Sequence, residues 1–259
     1  MLYTCPLCGN RLIKDNKRAV CASGHSFDFA KSGYLNLLIS NSSVHGDAPD
    51  MIRARTRFLQ TGSYGFLRDR LAQITDELSP EVLLDLGCGE GYYTSALHGE
   101  EKYGFDLSKD ALIHASKHDR STQYAVASIF SLPLPDASAD AVLTCFAPYA
   151  QAEIGRILKS GGRFIFVTPG RKHLFEMKEI LYEKPYENRT DPLETDLAMI
   201  HEECISDTFT VGNEALQDLF AMTPYARHTP PEGREKLSQV REMQVTASFI
   251  IRIYQKTDS

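Results

Sequence analysis

The sequence predicts an open α/β sheet preceded by a small metal-stapled module, on three observations. A short apolar run, Val82-Leu-Leu-Asp-Leu86, leads straight into glycines at 87, 89 and 91. Helix-like and strand-like segments then alternate along the chain, the pattern of a largely parallel sheet. Near the N-terminus, Cys5-Pro-Leu-Cys8 and Cys21-Ala-Ser-Gly-His25 form two tight knuckles separated by twelve residues.

At 259 residues, with 42% hydrophobic and 24% charged side chains, the chain has ample material for a core and an ordinary globular composition. It lacks an apolar run of about 18 residues and a signal-peptide core, so a cytoplasmic protein with no membrane partner is expected. The formal charge of −6 argues against a nucleic-acid partner, but its distribution does not. Residues 1–72 carry ten Lys/Arg against five acids and are +5, so the remainder is −11. A basic front on an acidic chain suits a polyanion, with Lys14, Lys17, Arg18, Arg53, Arg55 and Arg57 as candidate RNA contacts. Ordinary solvated charge is the alternative.

Taken in order, the two knuckles offer Cys5, Cys8, Cys21 and His25 as four ligands for a tetrahedral Zn2+. All four coordination places are then filled by protein, so the metal is structural. Thiols merely packed in a core are the rival. A Cys8→Ser chain is expected to lose zinc and the N-terminal fold while still binding its cofactor. The other cysteines, Cys88, Cys145 and Cys204, are scattered and suggest no disulfide framework. The apolar stretch Phe27 to Leu38 closes the module, and polar residues 40–50 read as a linker or loop. Two helices are expected over 51–60 and 66–78, the second stopping at Ser79-Pro80. The boundaries that follow are 1–37 for the zinc module, 38–78 for linker and helices, and 79–259 for the main domain.

The strand ending at Asp85 and the glycine loop, followed by a helix-like Tyr92–Leu97, make a nucleotide-type cradle, because a loop without Cβ atoms lets backbone N–H groups approach a ligand. The dinucleotide fingerprint needs G-x-G-x-x-G, and Tyr92 stands at its last place. Asp85 would repel a pyrophosphate and attract an ammonium. Asp106, closing Tyr103-Gly-Phe-Asp106, stands where a ribose-binding carboxylate belongs. A cationic nucleoside amino acid, S-adenosylmethionine, fits best, held by Asp85, Gly87, Gly89, Glu90, Gly91 and Asp106. A dinucleotide site or a structural turn is the alternative.

Further on, a helix over 109–118 leads to a strand over 124–128, and strands follow over 140–146 and 163–168, with a helix over 152–158 between them. A polar loop spans 183–200. A strand near 204–211, helices near 214–221 and 231–240 and a strand over 244–254 complete a seven-stranded mixed sheet.

Together the knuckles, Phe27-Asp-Phe-Ala-Lys-Ser-Gly-Tyr-Leu-Asn-Leu-Leu38, Ala54-Arg-Thr-Arg-Phe-Leu59, Leu86-Gly-Cys-Gly-Glu-Gly-Tyr-Tyr-Thr94, Thr168-Pro-Gly170 with His173-Leu174, and Met222-Thr-Pro-Tyr225 resemble the bacterial 23S rRNA guanine-N1-methyltransferases. The resemblance implies a Rossmann-like class I methyltransferase joined to a zinc-ribbon-like module that recognises a 23S rRNA hairpin, and often a homodimer. It implies cofactor contacts at Tyr64, Gly89, Glu90 and His173, with Tyr64 folded back as a lid. An ordinary half-buried tyrosine is the alternative for Tyr64. Relatives often place an acid after the third strand to hold adenine, and Ser128 stands there instead. Exocyclic-amine methylases carry Asn/Asp-Pro-Pro-aromatic at the fourth strand's edge. In Phe146-Ala-Pro-Tyr149, Ala147 is read in place of the amide or acid, which favours a ring nitrogen, with Pro148 and Tyr149 as base-stacking candidates. Tyr149 as plain core is the alternative. No catalytic base is identifiable. Two other functions fit: a small-molecule methyltransferase with a purely structural zinc, or a non-catalytic zinc-ribbon RNA-binding protein.

Overall fold

The computed structural model describes residues 1–39 and 46–257. The N-terminal ribbon is a three-stranded antiparallel sheet of β1 (Leu12–Asp15), β2 (Arg18–Cys21) and β3 (Ser26–Asp28). After it come β4 (Leu35–Asn36), α1 (Pro49–Gln60) and α2 (Gly65–Leu78). Pro49 opens α1, where a missing N–H costs nothing. Most of the expected linker, residues 40–45, lies outside the described residues.

The main sheet is built from β4, β5 (Val82–Leu86), β6 (Glu101–Asp106), β7 (Thr122–Val126), β8 (Ala139–Cys145), β9 (Leu158–Pro169), β10 (Ala198–Gly212) and β11 (Glu242–Gln255). Its order is β10-β11-β9-β8-β5-β6-β7-β4; β11 runs antiparallel to both its neighbours, β10 and β9, and every other neighbouring pair is parallel. Helices α3 (Lys109–His118), α4 (Gln151–Ile157), α5 (Phe175–Leu181), α6 (Asn213–Ala221), α7 (Tyr225–His228) and α8 (Pro231–Ser238) fill the connections. The chain runs outward from β5 in both directions, so the carboxyl ends of β5 and β8 part at the switch point where such sheets bind ligands.

Seven strands match the expected sheet, and the eighth is β4, contributed from the stretch expected only to close the zinc module. It pairs in parallel with β7, and Leu37 N donates to Val126 O at 2.9 Å. Tyr3 lies edge-on to Tyr103 and Phe105, its hydroxyl donating to Gln123 O at 3.0 Å. Tyr3, Leu12 and Leu35 thereby share one core with Leu84 and Phe105. Leu67, Leu71, Leu143, Ile165 and Phe249 belong to the second large core cluster.

The helix expected over Tyr92–Leu97 is only a single 3-10 turn, Thr94–Ala96. Thr94 Oγ1 is drawn to Asp85 Oδ2 at 2.5 Å, and the ammonium of Lys102 takes the carbonyls of Thr94 and Leu97 at 3.3 and 3.1 Å. Those carbonyls, satisfied by a side chain, need no following helical turn.

Candidate active site and metal centre

The cradle forms because β5 ends against β6. Gly87 and Cys88 donate backbone N–H groups to Phe105 O at 2.8 and 3.0 Å, folding the loop back over the strand. Gly87 has φ +80°, and a Cβ there would sit 2.5 Å from Ala147 Cβ, so only glycine fits. Gly89 and Gly91 are also left-handed, at +53° and +81°. Asp106 accepts from Gly89 N at 2.9 Å and Ser108 N at 2.7 Å, which pins the loop. Each carboxylate oxygen keeps a lone pair for a ligand hydroxyl.

Three acids meet here. Asp85 is 2% exposed, and its Oδ1 is buried without a hydrogen-bond partner among the described residues. Burial pushes its carboxyl up to about 7, against the Thr94 hydroxyl, which favours the charged form. Burial also raises Asp106, opposed by the N–H groups of Ser108 and Gly89. Glu90 is buried as well. An orphaned carboxylate oxygen within this anionic cluster suits a sulfonium and ammonium, so the residues fit S-adenosylmethionine. Ser128, just past β7, accepts from Phe130 N at 3.3 Å beside the exposed Phe130 ring.

Tyr64 and His173 meet, with Tyr64 Oη 3.5 Å from His173 Nε2. Tyr64 is packed edge-on against Phe58 and Phe249 and is 1% exposed, so it is a wall of the core and not a lid. His173 Nδ1 accepts from Ser248 N at 3.2 Å, which puts the neutral ring's proton on Nε2. Burial holds its pKa down to about 3. With its acceptor nitrogen engaged, His173 has no place for a proton from substrate. Phe249 links this pair to Phe146, 5.3 Å away, and Phe146 in turn faces Tyr93 at 6.3 Å.

Past the end of β8 the exposed aromatic ring is Phe146, and Tyr149 is turned toward the core. Tyr149 stacks on Phe164 at 5.5 Å and 20°, and its hydroxyl meets Thr195 at 2.6 Å, so it packs on the core. Pro148 is exposed. Phe146 is 43% exposed and has φ +61°, a conformation that costs an aromatic residue about 1–3 kcal/mol. Counted back from Tyr149, Phe146 and not Ala147 holds the first place of the four-residue motif. That count was the available signal.

The ligand atoms of Cys5, Cys8, Cys21 and His25 all lie within 4.8 Å of one another. Cys8 and Cys21 sulfurs are 3.6 Å apart, and His25 Nδ1 is 3.5 Å from the sulfurs of Cys5 and Cys21. A tetrahedron with Zn–S of about 2.3 Å has edges of about 3.8 Å, so the cage is already sized for zinc. Gly9 N donates to Cys5 O and Gly24 N to Cys21 O, making the two knuckles. A backbone N–H at Asn10 draws the Cys8 thiol down to about 6.

Of the six basic residues expected at RNA, Lys14, Lys17 and Arg18 lie exposed on the ribbon, Arg18 with Asp15 at 2.8 Å. Arg53 is exposed and paired with Asp50. Arg57 grips Asp218 through two nitrogens, at 2.8 and 2.5 Å. Arg55 is turned inward to the cradle, donating to Glu90 at 2.7 Å and Asp47 at 2.6 Å. Helical spacing could not show this, because the partners lie 35 residues downstream and in the preceding loop.

A glycine loop after the central strand, a carboxylate ending the next, and a crevice at the switch point define a class I, S-adenosylmethionine-dependent methyltransferase carrying a structural zinc ribbon. A methyltransferase-domain family profile matches residues 84–166, and one for a zinc ribbon, described as RlmA, N-terminal, matches residues 3–42. The 23S rRNA (guanine(748)-N(1))-methyltransferase of Streptomyces fradiae is 30% identical over 95% of both chains. A Bacillus subtilis (strain 168) chain, provisionally named a 23S rRNA (guanine-N(1)-)-methyltransferase, is 29% identical over 98% of this chain and 97% of its own. The protein belongs to the 23S rRNA guanine-N1-methyltransferase family. By contrast, a malonyl-[acyl-carrier protein] O-methyltransferase of Hahella chejuensis is 32% identical over only 49% of this chain and 50% of its own. A provisionally named methyltransferase structure from Bacillus halodurans shares the fold with a TM-score of 0.50 at 18% identity, covering 74% of this chain and 99% of that one. No helix among the described residues is long and apolar enough to cross a membrane.

Proposed function

We propose that this protein methylates N1 of a guanine in a 23S rRNA hairpin, in the cytoplasm, using S-adenosylmethionine. One observation carries the reading: the zinc ribbon is built into the methyltransferase sheet through β4, so the exposed Lys14, Lys17 and Arg18 and the cofactor crevice belong to one packed unit. Bound S-adenosylmethionine supplies an activated methyl. The protein aligns the acceptor with it, a contribution worth up to ~7–11 kcal/mol in well-oriented reactions. A hairpin guanine must unstack to reach the crevice, and aromatic rings receive such bases. Support for the homodimer is the open edge offered by the 15-residue β10, and sedimentation of the purified protein tests it.

The test is transfer of labelled methyl to unmodified 23S rRNA, with the product nucleoside identified. Formation of 1-methylguanosine supports the reading, and methylation of a small molecule with no RNA product overturns it. Binding to the RNA should fall steeply as salt rises, because phosphate contacts release counterions.

Phe146 is the side chain best placed to receive the base. Phe146→Leu should raise KM for the RNA about tenfold or more, since base–aromatic stacking is worth roughly 1–3 kcal/mol, with little change in cofactor affinity. Unchanged steady-state kinetics would remove Phe146 from the substrate path.

Asp85 predicts a pH dependence. In the cofactor-free protein its carboxyl, near 7, holds a proton at mildly acidic pH. A cationic ligand favours the carboxylate, so binding releases that proton. Affinity for S-adenosylmethionine should therefore rise by up to about tenfold per pH unit towards 7 and level off above it. Folding runs the other way: a native pKa raised above the unfolded value contributes stability at low pH that is lost as pH rises through about 7. Calorimetric titrations across this range, with Asp85→Asn as the pH-independent control, check the sign.

A further inference from the structure

Arg55 projects from α1 into the glycine loop, and its 20% side-chain exposure sets it apart from the solvated arginines beside it. Its Nε donates to Glu90 and its Nη1 to Asp47. Its Nη2 has no hydrogen-bond partner among the described residues and would lie 3.1 Å from a Cβ at Gly89. Burial works against the charge, but Glu90 and Asp47 together hold the guanidinium firmly protonated. The cradle thus presents a half-buried cation and a buried anion side by side, Arg55 and Glu90, over the loop that would receive the methionine end of the cofactor.

An amino acid is a zwitterion. Its ammonium needs an anion and its carboxylate a cation, and a guanidinium presents N–H groups in the fork that a carboxylate matches. We propose that the Arg55–Glu90 pair stands in for the cofactor's own charges, and that Arg55 binds the carboxylate of S-adenosylmethionine while Glu90 passes to the ammonium. Asp47, already at 2.6 Å, keeps the guanidinium aimed at the loop throughout the exchange. Arg55 is therefore a cofactor-specificity residue that selects ligands carrying an amino acid over bare nucleosides, and not an RNA contact. The inference rests on the cofactor reading above.

Calorimetric titration of the full-length, zinc-loaded protein tests it, with S-adenosylhomocysteine and with methylthioadenosine, a nucleoside lacking the amino acid. Arg55→Gln should weaken S-adenosylhomocysteine about 10–100-fold while leaving methylthioadenosine within about twofold. Arg55→Lys, which keeps the charge and loses the fork, should fall between the wild type and Arg55→Gln. Equal losses for both ligands would make Arg55 a structural strut, and tighter binding of both would make it a plug. No change for either would place it outside the site. Each of these overturns the proposal. Wild-type protein that binds neither ligand would instead overturn the cofactor reading itself.

Discussion

Replacing Cys21 with serine is expected to strip the zinc and cost more stability than any other single change proposed for this chain. Structural zinc contributes about 10–16 kcal/mol to folding in isolated fingers, and Cys21 is 5% exposed, so the polar replacement is buried without its metal. The damage should spread. Tyr3, Leu12 and Leu35 share a core with Leu84 and Phe105, and β4 covers the edge of β7. Sequence alone suggested that a chain without zinc would keep its cofactor site intact. The shared core predicts instead that cofactor affinity falls along with the metal, because β7 leads directly into Ser128. Elemental analysis, thermal denaturation and S-adenosylmethionine titration of the same sample check this. Zinc loss with an unchanged melting temperature would show that the ribbon is an independent appendage.

Gly87→Ala is expected to lower methyl transfer by at least about a hundredfold. The new Cβ would lie 2.5 Å from Ala147 Cβ, two residues past the end of β8, at a φ of +80° that alanine resists. Either the glycine loop or the exit of β8 must move, and they are the two sides of the crevice. A displacement of about 1 Å at a reacting centre can cost a hundredfold in rate. Gly155 in α4 provides the control. A Cβ there meets nothing within 4 Å, so Gly155→Ala should be neutral or stabilise by up to about 1 kcal/mol. Single-turnover rates for both variants separate a lost geometry from a lost fold. A Gly87→Ala enzyme of wild-type rate would mean that the loop does not set the position of the methyl group.

Legibility differed by the range over which each feature is determined. The knuckles, the strand into the glycine loop and Asp106 depend on short spacings and on residue types with narrow chemistry. Helices α1, α2 and α3 likewise begin and end near the expected residues, because their apolar periodicity, Pro49 and the Ser108 cap act locally. Ser108 Oγ accepts from Ala111 N at 3.3 Å, as an N-cap should. The Tyr92–Leu97 helix failed for the opposite reason, since its carbonyls were claimed by Lys102 from the next strand.

The same division holds at the site. By itself, the sequence determined that a cationic nucleoside amino acid and a four-ligand zinc would be bound, because glycine's freedom, carboxylate charge and thiolate spacing operate within a few residues. Only the tertiary structure decided that Arg55 turns into the glycine loop, that Phe146 and not Tyr149 is the exposed ring past β8, and that the ribbon lends a strand to the main sheet. Each of these depends on which distant groups compete for a side chain or a backbone edge. Such competition is settled by packing, where burial decides whether a charge must find a partner.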